Sequence, residues 1–164
     1  MESNNKQTAS SSETNQRIYD FLKAYPIGVL STVDPNGNPH AAVIYFTVDE
    51  EFNITFVTKH DTKKYDNLKR HNHVMLVAFE PVSQTTTQIT GTVEEITDES
   101  EAQRAFHDML ANAEKTSEEG VPPISKLYAG GYTTLRIKPV QIRMAVFIRP
   151  DPGGYDDTYE TIDF

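Results

Sequence analysis

Apolar residues recur along this chain with two periods, and the change from one to the other marks its organisation. Ile18, Phe21, Leu22 and Tyr25 stand at i, i+3, i+4 and i+7, one face of a short helix. Ser12 or Thr14 is the expected cap and Pro26 the stop. From residue 27 the period shortens to two. IGVLSTV, PHAAVIYFTV and ITFVT read as three strands of a meander, joined by DPNGN (34–38) and DEEFN (49–53). The Asn36-Gly37 pair supplies the positive φ values of a tight hairpin, which fixes the first connection.

Residues 61–70, DTKKYDNLKR, predict a short polar helix capped by Asp61 or Thr62, with Tyr65 and Leu68 on its apolar side. HVMLVAF (73–79) is nearly all apolar, the pattern of a strand covered on both faces. QTTTQITGTVEEI (84–96) alternates, and Gly91 marks a bulge or a close backbone approach. Asp98-x-x-Glu101 has the form of a capping box. It opens a helix with Ala102, Phe106, Met109, Leu110 and Ala113 on one face, ending before Gly120. After a Pro/Gly-rich loop (118–131), YTTLRIKP and VQIRMAVFIRP predict two final strands hinged at Pro139. Strands punctuated by turns, with few helices between them, predict a mainly β (α+β) protein built as a closed or half-closed antiparallel barrel. A doubly wound parallel sheet would need a helix after nearly every strand.

Composition narrows the function. The 164 residues suit one domain: a polar, disordered tail over residues 1–13, the barrel over 14–150, and an acidic tail or partner-binding arm over 151–164. Fifteen Lys and Arg against twenty-four Asp and Glu leave a net charge of −9, which argues against nucleic acid and against an anionic membrane surface. No cysteine is present, so disulfides, thiolate metal sites and a Cys nucleophile are excluded. With neither a secretion signal nor a run of about 20 apolar residues, the expected location is the cytoplasm.

The stretch TFVTKHDTKK (55–64) runs from a strand through a polar loop into a helix start, which assembles the parts of an anion site. Helix-start amides, the Thr58 and Thr62 hydroxyls and the Lys63 and Lys64 ammonium groups all favour a phosphate. A solvated basic helix face is the ordinary reading of such a charge run. His71 and His73 offer two imidazoles without a third ligand, so no metal is expected. His40 follows the hairpin turn, His60 sits in the anion loop, and Tyr128 lies in the later loop; each also reads as surface or packing. Hydrolase and nucleotide-triphosphatase motifs are absent.

The run FVTKHDTKKYDNL resembles the phosphate-gripping signature of the pyridoxamine 5'-phosphate oxidase-like, FMN-binding split-barrel family, a strand ending Tyr-Thr followed by Ser-Arg-Lys. The resemblance extends to IGVLSTVDPNGNPHAAVIYF and to Gln88, and covers residues 27–148 in order. It implies an antiparallel split β-barrel with short flanking helices. Val57 and Thr58 stand at the Tyr-Thr positions, Thr62 at the Ser, Lys63 at the Arg and Lys64 at the Lys. Backbone of Ala42, Val43 and Ile44 is expected along the flavin ring, with Gln88 at its polar edge. Ala42 replaces an Arg and Thr47 a Lys found in many members, and the chain lacks the Trp and the terminal Arg-Leu-His-Asp-Arg-like motif of the vitamin oxidase. A substrate other than pyridoxamine phosphate is therefore implied. The resemblance further implies a homodimer with FMN at the subunit interface, and electron transfer from NAD(P)H to a small-molecule substrate. A flavin- or haem-binding module without turnover, and a deazaflavin-dependent reductase, are the alternatives on this scaffold.

Overall fold

A computed structural model describes residues 11–115, 131–147 and 159–164. Most of the expected N-terminal tail, Tyr128 with its loop, the end of the second long helix and residues 148–158 lie outside the described residues. Helix α1 (Ser11–Ala24) stops ahead of Pro26, whose ring and missing N–H cannot extend a helix. Ser12 and Thr14 lie within its first turn rather than capping it. Its Ile18 and Leu22 are fully buried.

Strands β1 (Ile27–Val33) and β2 (Pro39–Tyr45) form the expected hairpin, closing at Val33 and Pro39, but its turn takes a positive φ at Gly37 and not at Asn36, because the Asp34 carboxylate organises a five-residue loop instead of a two-residue turn. Strand β3 (Thr47–Val48) and β4 (Ile54–Lys59) form a second pair, followed by α2 (Lys63–Arg70). Then come β5 (His73–Glu80), β6 (Thr85–Glu95), α3 (Glu99–Lys115), β7 (Tyr132–Val146) and β8 (Tyr159–Asp163). The order across the sheet is β2-β1-β5-β6-β7-β4-β3, with β8 beside β7. Its two outermost strands, β2 and β3, are separated in sequence by Phe46 alone. One residue spans less than about 4 Å, so the sheet curls until its edges meet. The chain itself closes the barrel there; a hydrogen-bond ladder does not.

That closure corrects the meander. PHAAVIYFTV is two strands at opposite edges of the sheet, and β1 takes β5 as its other neighbour. The break falls at Phe46 because its side chain is fully buried and its N–H donates to the Pro26 carbonyl at 2.9 Å. The barrel interior is filled by Leu30, Ile44, Phe46, Phe56, Leu76 and Ile137 among others, with Ile18 and Leu22 of α1 packed into the same core.

Three further expectations change. Strand β5 is covered on one face only: Val74, Leu76 and Ala78 point inward while Met75 and Phe79 are 40% and 56% exposed, since no helix among the described residues lies over the outer side. The two final strands are one fifteen-residue strand, β7, whose pairing with β6 shifts by one residue at Pro139. A bulge there tolerates the proline's missing donor, and Gly91 opposite it lacks the Cβ that would collide with the Lys138 carbonyl. Finally, Tyr159–Asp163, read by composition as part of a solvated tail or an arm for a partner, is a strand of this chain's own sheet. Ile162 packs on the core, Arg17 of α1 bridges Glu160 at 2.6 Å, and Phe164 meets Phe52. Seven expected strands thus become eight among the described residues.

Candidate functional site

Strand β4 carries the chain to the site. Its first two residues pair with β3, while from Phe56 onward β7 alone among the described strands lies hydrogen-bonded beside it. Strand β2 likewise pairs with β1 alone among the described strands. Between Ala42–Tyr45 and the end of β4 the barrel is therefore split, leaving two strand edges with backbone groups turned toward the gap. Tyr45 spans it, packing with Val57 against Phe106, Met109, Leu110 and Ala113 of α3. Asp98 anchors the start of α3: its Oδ1 accepts from the Glu101 N–H at 2.7 Å. The Glu101 side chain pairs with Arg136 of β7 instead of completing the capping box.

At the end of β4, Thr58 is 3% exposed, and its hydroxyl lies 3.1 Å from that of Thr62. Thr62 caps α2, accepting from the Tyr65 N–H at 3.3 Å while donating to the Lys59 carbonyl at 3.0 Å. The amides of Lys63 and Lys64 then begin the helix with no intrahelical acceptor, and the helix dipole adds partial positive charge. Lys64 is half-buried and has no carboxylate or hydrogen-bond partner among the described residues. Burial pushes its ammonium below the ordinary lysine value. A desolvated cation with no counter-ion among the described residues, in the first turn of a helix capped by one of two paired threonines, is the arrangement that an anion relieves.

Lys63 points another way. With Asp66, Asn67 and Arg70 it lines an open groove of about 490 Å³ facing Asp34, Asn38 and His40 of the β1–β2 turn. Such a volume falls within the range of small-molecule sites. Asn67 is buried and donates to the Thr32 hydroxyl at 3.0 Å, which ties α2 to β1. In the sequence Asn67 is one more polar residue of a polar helix, and its spacing from Lys63 and Arg70 is the signal that places it on their face. The buried Nδ1 of His40 has no hydrogen-bond partner among the described residues. His60 lies against the Tyr65 ring, 5.0 Å between centroids. A larger groove, about 640 Å³, lies between α1 and the 49–53 turn, but its lining of Ser11, Asn15, Tyr19, Glu50 and their neighbours includes no cation.

The remaining expected residues divide between two faces. Ile44 is buried in the barrel core, Ala42 shares its inward side, and Val43 faces outward at 66% exposure. Gln88 of β6 is also on the outer face, in one cross-strand row with Val77, Val29 and Val43. It stands three strands from Val43, about 14 Å along the sheet at the usual strand spacing. The structure thus gathers Thr58, Thr62 and Lys64 at one turn, turns Lys63 to the adjoining groove, and leaves Gln88 apart from them.

The family model for pyridoxamine 5'-phosphate oxidase matches residues 14–145 of this chain. Among solved structures, a pyridoxamine 5'-phosphate oxidase-like protein of Listeria innocua superposes with a TM-score of 0.62 at 21% identity, covering 79% of this chain and 96% of that one. A pyridoxamine 5'-phosphate oxidase-related, FMN-binding protein of Nostoc punctiforme gives 0.57 at 14%, covering 96% and 99%. A haem-binding protein of Mycobacterium smegmatis gives 0.66 at 13%, covering 95% of this chain and 59% of that one. At these identities the likeness is one of fold. No curated protein sequence matches this chain significantly.

Proposed function

The chain belongs to the pyridoxamine 5'-phosphate oxidase family, and from that premise we propose that it is a homodimeric, FMN-binding oxidoreductase passing electrons from a reduced nicotinamide to a small-molecule acceptor. The observation that carries the reading is the β4–α2 turn, where the Thr58 and Thr62 hydroxyls pair and Lys64, half-buried and without a carboxylate partner among the described residues, stands in the first turn of the helix that Thr62 caps. A phosphate group suits that set better than a neutral ligand does, because charge-assisted bonds would restore what burial takes from Lys64. With Ala42 and Thr47 in place of two cations, Lys64 and the helix start carry most of that grip. Bound FMN would supply the redox chemistry, and the chain would bind and orient it along the β2 edge.

A second copy of the chain is the proposed cover for the β2-β1-β5 part of the outer sheet face. Val29, Val43, Met75 and Phe79 expose apolar side chains there, a patch of the kind that marks an interface. Light scattering should report a dimer, and Phe79→Glu should shift it toward monomer. A dimer unaffected by that change would move the interface elsewhere.

Haem is the second reading, favoured by the haem-binding structural neighbour. Denaturing the purified protein and identifying what it releases separates the two. FMN is the expected result. A Soret band and released haem would replace the flavin reading, and uptake of deazaflavin alone would narrow it to that cofactor.

A further inference from the structure

The outer face of the sheet holds a cation with no carboxylate partner among the described residues. Arg143 of β7 projects outward between Gln88 of β6 and Thr161 of β8, while its neighbours Ile142 and Met144 are buried on the other side. Its guanidinium lies 4.1 Å from the centre of the Tyr159 ring. No carboxylate pairs with it among the described residues, in a chain with nine excess negative charges. The acids of the same strand are engaged elsewhere: Glu160 by Arg17 at 2.6 Å, and Asp163 by the Gln141 amide at 2.8 Å. Arg136, by contrast, is held by Glu94 and Glu101.

Stacking on a ring occupies the flat face of a guanidinium and leaves its in-plane N–H donors free, already oriented to grip two oxygens of an oxyanion. The Gln88 amide directly opposite also lacks a partner among the described residues. Because Tyr159 belongs to β8, the arrangement exists only while the C-terminal strand is docked on β7.

We infer that Arg143, held flat by Tyr159 and flanked by Gln88 and Thr161, is the docking point for a carboxylate or phosphate group of a small molecule. Naming that molecule as the electron acceptor rests on the flavin reading above; the anion site itself does not. It gives the C-terminal strand a role in selecting what approaches the face that carries Gln88.

The test is titration of the full chain, with and without FMN, by benzoate, phenyl phosphate and neutral benzamide, following the Arg143 Nε–H and Gln88 side-chain amide signals by NMR. Saturable shifts with either anion and none with benzamide are expected, and the responding anion names the class. Arg143→Gln should weaken anion binding at least tenfold. Tyr159→Leu should weaken it severalfold, whereas Tyr159→Phe, which keeps the ring, should stay within twofold of wild type. Equal shifts with benzamide, no shift with any probe, or an unchanged affinity in Arg143→Gln would overturn the inference. A wild-type protein that fails to take up FMN while the Arg143 shifts persist would remove the flavin reading and leave this site standing.

Discussion

Two turns of this molecule make the same hydrogen bonds with different residues. In DPNGN, Asp34 Oδ1 accepts from the N–H groups of Asn36 and Asn38, both at 2.8 Å, and Asn38 Nδ2 donates to Oδ2 at 3.0 Å. In DEEFN, Asp49 Oδ1 accepts from Glu51 and Asn53 at 2.9 and 2.8 Å, and Asn53 Nδ2 donates to Oδ2 at 2.9 Å. Each needs a left-handed residue at its fourth position. The first uses Gly37 at φ 85° with nothing around it; the second uses Phe52 at φ 64°. That backbone costs a side-chain-bearing residue about 1–2 kcal/mol, which burial of the Phe52 ring offsets. The ring is 7% exposed and meets Tyr19 of α1 and Phe164 after β8 at 6.0 and 5.9 Å. One turn is encoded locally, the other by packing that pins both ends of the described chain.

Breaking the packed turn should have the largest effect. Phe52→Ala is expected to lose about 3–5 kcal/mol of stability in urea denaturation, the usual range for truncating a core aromatic, and to loosen β8. Phe52→Gly should be less damaging than Phe52→Ala by about 1 kcal/mol, since it relieves the backbone while losing the same ring. Equal losses would mean that no strain is stored there. Gly37→Ala should cost about 1–2 kcal/mol with no packing contribution, because its Cβ would meet nothing within 4 Å. The smallest effect concerns acid. The Asn38 side chain first, then the Asn38 backbone amide, hold the Asp34 carboxyl below the usual carboxylate range. Its contribution is therefore present above about pH 3.9 and is lost as pH falls through the lowered value. Asp34→Asn should flatten the acid limb of the stability profile slightly, as followed by circular dichroism.

The contrast also explains what the sequence made legible. Gly37 announces its turn through residue type, as do Pro26, the Asp98 cap and the alternation of β1, β2 and β6. Phe52 announces nothing, because its conformation depends on Tyr19 and Phe164, residues far from it along the chain on either side. The same holds for Phe46, where a strand had to be cut so that the sheet could close, and for Tyr159–Asp163, whose acids are absorbed by Arg17 and Gln141. At the site, the threonines and lysines of the β4–α2 turn were readable from their order along the chain. The divergence of Lys63 from Lys64, and the buried bond from Asn67 to Thr32, depend on how α2 lies against β1 and were not.

That divergence makes the central claim testable at one residue. Fluorescence titration of ligand-free protein with FMN should show tight, saturable binding by wild type. Lys64→Ala should bind at least tenfold more weakly, in keeping with about 1.5–3 kcal/mol for a charge-assisted bond, and Lys63→Ala should lose less. Wild-type affinity in a folded Lys64→Ala protein would contradict the account.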